Sequence, residues 1–362
     1  MPYKKIIKKK FNIHEIIRVD IESRFSEIVD QVMHQLSEFE VLEDSEEVSD
    51  IVVRDYDCAP KLKNSLVISD YYYYYDDWLN IPAHQTCIDL VNDPIKVFCN
   101  KFSLPVNFLV HVALLRKKYS LMHAAGVTIN SKRYLFPAFG GIGKTALVMA
   151  VVDNGGKFYG DDMIIINEND LFNYPIDFSV YPHHMKLLRL KDTRIEKKFK
   201  RTKLFDNITD RLEKYDCRLL KFIRVAINTL KVPCVNIPPR DIFGEKCFAG
   251  HGKIDEVYYL TRNNKNSDEI EISPIAPKIL AEITSYILFS EWHQSIYYLL
   301  VYSGLSSFSL TKIIDMTRSI YEQLFSIRPC YIVEIPNSMS IQDYQIQIVK
   351  AIVENSSKLE LP

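Results

Sequence analysis

Glycine and proline are scarce in this 362-residue sequence, with Gly 11 and Pro 16 together making 27 residues. That is well below ordinary usage and excludes collagen-like, linker-like and broadly disordered chains. Net charge is equally scarce. Lys plus Arg number 45 and Asp plus Glu 46, a formal charge of −1, so no whole-chain field draws the protein onto nucleic acid or an anionic membrane. The seven cysteines (Cys58, Cys87, Cys99, Cys217, Cys234, Cys247 and Cys330) are scattered, odd in number and never spaced C-x-x-C. They fit neither a disulfide framework nor a zinc site, and a reducing cytoplasmic compartment is the expectation. Long apolar runs are missing too. The most apolar long stretch, Ile279 to Leu305, is interrupted by Glu282, Glu291, His293 and Gln294, which suits a core helix and not a membrane span. The basic start, Lys4 to Lys10, leads into Glu15, Arg18 and Asp20 and so lacks a signal-peptide core.

What is present is ordinary globular composition, 47% hydrophobic and 25% charged, at a length that predicts two domains or one large domain with an appendage. Residues 1–118 read as an N-terminal α+β domain, a candidate for substrate docking. Strand-like alternation at Phe11, Ile13, Ile17, Val19 and Ile21 passes into a helical period through Phe25, Ile28, Val32, Leu36 and Phe39. Strand candidates follow at Ile51 to Arg54, Leu66 to Ser69, Tyr71 to Tyr75, Thr86 to Leu90 and Ile95 to Cys99, then a helix within Leu104 to Tyr119. Residues 119–362 read as a second domain: strands to about residue 275, helices at Ala276 to Tyr302 and Leu310 to Phe325, a strand at Tyr331 to Ile335 and a helix at Ile341 to Glu354. Between Lys186 and Lys203 nine basic residues face two acidic ones, a solvated face or an anion-binding surface.

The chemistry concentrates in Ser120 to Asn167. Tyr134-Leu135-Phe136 reads as a buried strand, Ala138-Phe139-Gly140-Gly141-Ile142-Gly143-Lys144-Thr145 as a glycine loop, and Ala146 to Val152 as a helix. Strand, loop, helix is the context of a phosphate-binding loop: backbone N–H groups face one anion, the helix N-terminus points at it and Lys144 adds a full charge. Thr145 would offer a hydroxyl to magnesium. Ala138 replaces the usual first glycine, which is tolerable where the backbone stays strand-like. Sixteen residues beyond Thr145, Asp161-Asp162 lies between β-prone runs. Adjacent carboxylates there suit a metal and a nucleophile on opposite sides, although a solvated turn would carry the same pair. Before the loop, Leu121 to Ile129, Asn130 to Arg133 and Tyr134 read as a hairpin feeding the loop strand antiparallel. That hairpin sets His123 opposite the loop, either as a satisfied core residue or as part of the site.

Over about 50 residues this stretch resembles the HPr kinase/phosphorylase group, whose fold is shared with phosphoenolpyruvate carboxykinases. The resemblance rests on His123-Ala124-Ala125-Gly126, Gly140 to Thr145 and Asp161-Asp162, with a weaker echo at Asp241-Ile242-Phe243-Gly244 and Lys253 to Leu260. It implies an α/β fold, a mixed-sheet P-loop kinase domain of that type, with the N-terminal α+β domain added. It also implies ATP bound by Gly140, Gly141, Ile142, Gly143, Lys144 and Thr145, and Mg²⁺ bound by Thr145 and Asp161. Asp162 would be the catalytic base, His123 would sit by the phosphates, and Arg240 is the candidate for the substrate arginine. The family's later metal-binding Glu has no match before Asp241, which weakens the case for phosphorolysis. The activity implied is ATP-dependent phosphoryl transfer to a hydroxyl of a protein, peptide or small molecule, by a family that tends to form homo-oligomers. Two other readings stay open: a nucleotide-dependent regulatory ATPase without an acceptor, and a scaffold that binds no nucleotide. No membrane or nucleic-acid partner is expected.

Overall fold

The computed structural model describes residues 5–42, 48–62, 66–69, 72–75, 77–102, 104–180, 235–244, 247–265 and 268–358. The basic segment 186–203, with His183 and His184 before it, lies outside the described residues. Two compact units emerge, one of Met1–Ile176 with Cys247–Pro362 and one of Asp177–Lys246. The chain is an α/β protein with mixed sheets.

In the larger unit, nine described strands form one mixed sheet. They are β1 (Ile7–Ile13), β2 (Ile17–Ser23), β3 (Glu40–Val41), β4 (Ile51–Arg54), β5 (Leu66–Ser69), β6 (Tyr72–Tyr75), β7 (Trp78–Ile81), β8 (Thr86–Asp89) and β9 (Ile95–Cys99). Their order is β3-β1-β2-β4-β9-β8-β7-β6-β5. Burial alternates strictly along β2 and β9, as expected of strands with one face toward a core. Helix α1 (Ser26–Leu36) covers β1 and β2 with Ile28, Val29, Val32 and Leu36 buried. Helix α2 (Val106–Arg116) is buried on nearly every side, since it packs on β2 and β4 and also on the next strand, β10 (Ser120–Met122).

Beyond residue 119 the larger unit builds two further sheets from its described residues. One joins β10 to β14 (Ile164–Ile166), β15 (Asp170–Phe172) and β18 (His251–Lys253). The other joins β11 (Ala124–Ile129), β12 (Lys132–Pro137), β13 (Lys157–Gly160), β19 (Glu256–Asn263), β20 (Glu271–Pro274) and β21 (Cys330–Pro336) in the order β13-β11-β12-β19-β21-β20. The hairpin expected before the glycine loop is β11–β12, turned by Asn130 and Ser131, both with positive φ. On its other side β12 pairs parallel with β19. Helix α3 (Lys144–Asp153) follows the loop and packs between β11 and the last helix.

The single strand expected from Leu121 to Ile129 is two strands, β10 and β11, in different sheets. His123 sits at the break. A matching break separates β13 from β14, and it contains Asp161, Asp162 and Met163. The two antiparallel pairings share one register: Met122 faces Ile164 and Gly126 faces Gly160, four residues apart on both chains. Both runs therefore change sheet at the same level, which brings His123 beside the acidic pair. Gly126 permits the close approach, because a Cβ there would lie 2.6 Å from Ile164 Cδ1.

The smaller unit contains, among its described residues, the pair β16 (Phe178–Val180) and β17 (Val235–Ile237) and the short helix α4 (Pro239–Phe243). Arg240 is exposed on α4.

Where one helix was expected over Ala276 to Tyr302, two form: α5 (Pro277–Ser290) and α6 (His293–Leu305). The break at Glu291-Trp292 is set by Trp292. Its ring is buried against Phe108, His111 and Phe289, and its Nε1 donates to Asn107 Oδ1 at 3.0 Å. Helices α7 (Leu310–Ser326) and α8 (Ile341–Lys358) complete the unit. No helix among the described residues is long and apolar enough to cross a membrane.

Candidate functional site

The site grows from the end of β12. After Pro137 the chain passes through buried Ala138, which keeps a negative φ, so glycine is not required there. Glycine is required later: Gly141 (φ 78°) and Gly143 (φ 129°) lie in conformations that L side chains rarely adopt. The loop then delivers Lys144 and Thr145 onto the first turn of α3, where unpaired helix N–H groups and the helix dipole favour an anion.

Lys144 is only 6% exposed. Its Nζ donates to Ala138 O at 2.8 Å and Phe139 O at 3.3 Å and stands 2.9 Å from His123 Nε2. Burial lowers the ammonium's pKa, and the nearby Asp162, Asp161 and Glu291 oppose that fall. His123 is 1% exposed, with Nε2 2.7 Å from Asp162 Oδ1. A carboxylate there calls for a proton on Nε2, which leaves the Lys144 protons to the loop carbonyls. On the ring's other side, Glu291 Oε1 lies 3.0 Å from Nδ1, at ion-pair distance. Burial pulls the His123 pKa down, but the two carboxylates outweigh it and the net direction is upward.

The two aspartates face different partners. Thr145 Oγ1 donates to Asp161 Oδ2 at 2.6 Å, while Asp161 Oδ1 is buried with no partner. Burial pushes the Asp161 carboxyl up to about 6; the like charge of Asp162 adds to this and the Thr145 bond opposes it. For Asp162, burial also acts upward, yet the His123 bond and the charges of His123 and Lys144 win and hold it below the usual range. Its side chain is 50% exposed, so the Asp162 carboxylate is accessible and ionised, while Asp161 is partly buried with its Oδ1 shut off from solvent.

An orphaned buried carboxylate oxygen beside a hydroxyl is the donor set a hard divalent cation takes, with phosphate oxygens and water completing the shell. Among the described residues no group of three or more His, Cys, Asp or Glu is placed to hold a metal on protein ligands alone. Thr145 Oγ1 and Asp161 Oδ1 are the groups here that could hold a hard divalent cation.

Three further residues contact the loop, the helix after it or His123, and nothing local in the sequence marks them. Glu291 arrives from the α5–α6 break. Arg262, on β19, donates from Nε to Ile142 O at 3.2 Å. Gln345, on α8, donates from Nε2 to Ala146 O at 3.1 Å. Arg240 belongs to the other compact unit.

Fold and site together define an α/β protein of mixed sheets with a glycine loop between strand and helix, faced by His123 and an acidic pair. Among solved structures the chain is similar to the Hpr(Ser) kinase/phosphatase from Coxiella burnetii, at 9% sequence identity and a TM-score of 0.30, covering 67% of this chain and 99% of that one. No protein-family model and no curated protein matches the chain.

Proposed function

We propose that the chain is an ATP-dependent kinase, an HPr kinase-like P-loop enzyme, that transfers the γ-phosphoryl group to a hydroxyl of a protein, peptide or small molecule. One observation carries this reading. Lys144, Thr145, His123, Asp161 and Asp162 meet at the N-terminus of a helix, although they come from three separate stretches of chain. Phosphoryl transfer asks for alignment and charge neutralisation more than covalent work. The amides of Gly140 to Thr145 would hold the phosphates, and Lys144 would leave its loop carbonyls to meet them. Magnesium, when bound at Thr145 and Asp161, would neutralise charge on the transferred group. Asp162, ionised and accessible, would orient the acceptor hydroxyl and take its proton late, with His123 fixing the carboxylate's direction. Residues 1–118 are the candidate acceptor-docking region and Arg240 the candidate acceptor-binding cation.

Incubation with γ-labelled Mg·ATP and a cellular extract tests this. Label on a peptide or metabolite is expected. Label released only as inorganic phosphate would instead favour a regulatory ATPase.

A further inference from the structure

Buried polar groups in folded proteins nearly always have partners, so the exceptions are informative. Eight side-chain atoms among the described residues are buried without one, and three of them belong to Asp161, His123 and Tyr344, around the glycine loop. For Asp161 a bound cation would supply the missing partner, and His123 Nδ1 has Glu291 beside it. Tyr344 Oη has no such explanation.

Tyr344 lies on α8 and is 0% exposed. Its ring is pressed on the loop: a Cβ built at Gly143 would lie 3.0 Å from Cε1, 3.3 Å from Cζ and 3.4 Å from Oη. The hydroxyl end of the ring thus looks onto the residue that leads into Lys144. Burial dominates the upward shift of the phenol, Arg262 acting to lower it and Asp161 to raise it, so both charges lie near enough to be felt at the ring. The helix turn carrying Tyr344 is fixed by Gln345, which holds Ala146 O on α3. A phenylalanine would fill the same space without leaving a donor unpaired.

We propose that Tyr344 is a ligand-binding residue of this site: its hydroxyl donates to an oxygen of the bound Mg·nucleotide, either a phosphate oxygen or a metal-bound water. This rests on the kinase reading above. A bound oxygen acceptor would give the orphaned hydroxyl the partner it lacks, at the loop residue where polyphosphate binding is expected.

Tyr344→Phe separates a ligand role from a packing role, because the two move different observables. Without ligand, removing an unsatisfied hydroxyl raises the melting temperature by about 1–3 °C. With ligand, calorimetry is expected to show Mg·ATP binding weakened about tenfold, the equivalent of about 1.4 kcal/mol. The same titration with ATP in EDTA assigns the acceptor: a loss that persists points to a phosphate oxygen, and a loss that vanishes points to metal-bound water. Equal Mg·ATP affinity in the two proteins overturns the Tyr344 assignment and leaves the kinase reading standing. A wild-type protein that binds no Mg·ATP overturns both.

Discussion

Acid should unfold this protein through a histidine outside the site. His111, on α2, is 0% exposed and ringed by Trp292 and Phe289 at 5.1 and 6.0 Å between centroids. Its Nδ1 accepts from the Leu121 N–H at 3.2 Å. Thr317 Oγ1 donates to Ile313 O, so it accepts the Nε2 proton of His111 at 2.9 Å. Both ring nitrogens are satisfied only in the neutral form; a proton on Nδ1 would meet the Leu121 donor head-on. Burial pushes the pKa from 6.5 down to about 3. Between those values the unfolded chain binds the proton and the folded one does not, so stability is full above about pH 6.5 and falls as the pH drops toward 3. At pH 5, 1.5 units below the unfolded value, the loss is about 2 kcal/mol, and it does not depend on how far below 4 the folded pKa lies. Urea midpoints of wild type and His111→Gln at pH 7.5 and pH 5 give the test. Wild type should lose about 2 kcal/mol more than the variant between the two pH values. A gap between the two proteins that is the same at both pH values would refute the reasoning. Leu121, which this histidine pins, stands two residues before His123, and Tyr321 Oη holds its carbonyl from the other side at 2.5 Å.

The site carries an opposite pH signature. Asp161 has a raised pKa, so without ligand its contribution to stability is lost as pH rises from about 4 through about 6; Asp161→Asn should stabilise the ligand-free protein by about 1–3 kcal/mol at pH 7.5, measured by urea unfolding, and should abolish any further shift on adding Mg·ATP. Asp162→Asn should keep nucleotide affinity within about threefold while phosphoryl transfer falls by about 10²-fold or more, read with labelled ATP; transfer at the wild-type rate would remove Asp162 from the base role.

How much of this was legible in the sequence follows from distance along the chain. Gly140 to Thr145, Asp161-Asp162 and His123 fall within about 40 residues, and each has a local signature: positive-φ glycines before a helix, paired acids between β-prone runs, small residues after a histidine. The hairpin feeding the loop was readable for the same reason, since Asn130 and Ser131 fit a tight turn. The switch of sheet at His123 was not readable, because both halves of Leu121 to Ile129 are equally β-prone and only pairing with β13 and β14 divides them. Glu291 was visible only as an interruption of an apolar helix. Its approach to His123 depends on Trp292 breaking that helix to meet Asn107, a contact spanning 185 residues of chain. Tyr344 is one of 22 tyrosines, and nothing local marks its hydroxyl as unpaired.

Titration calorimetry with Mg·ATP tests most directly whether the glycine loop, Lys144 and the acidic pair form one polyphosphate site. Wild type should give saturable one-site binding heat. Lys144→Ala, shown folded by its circular dichroism, should bind about tenfold or more weakly, since a buried ammonium facing phosphate is lost. Flat heats from the wild type, or equal affinity in the variant, would contradict that site.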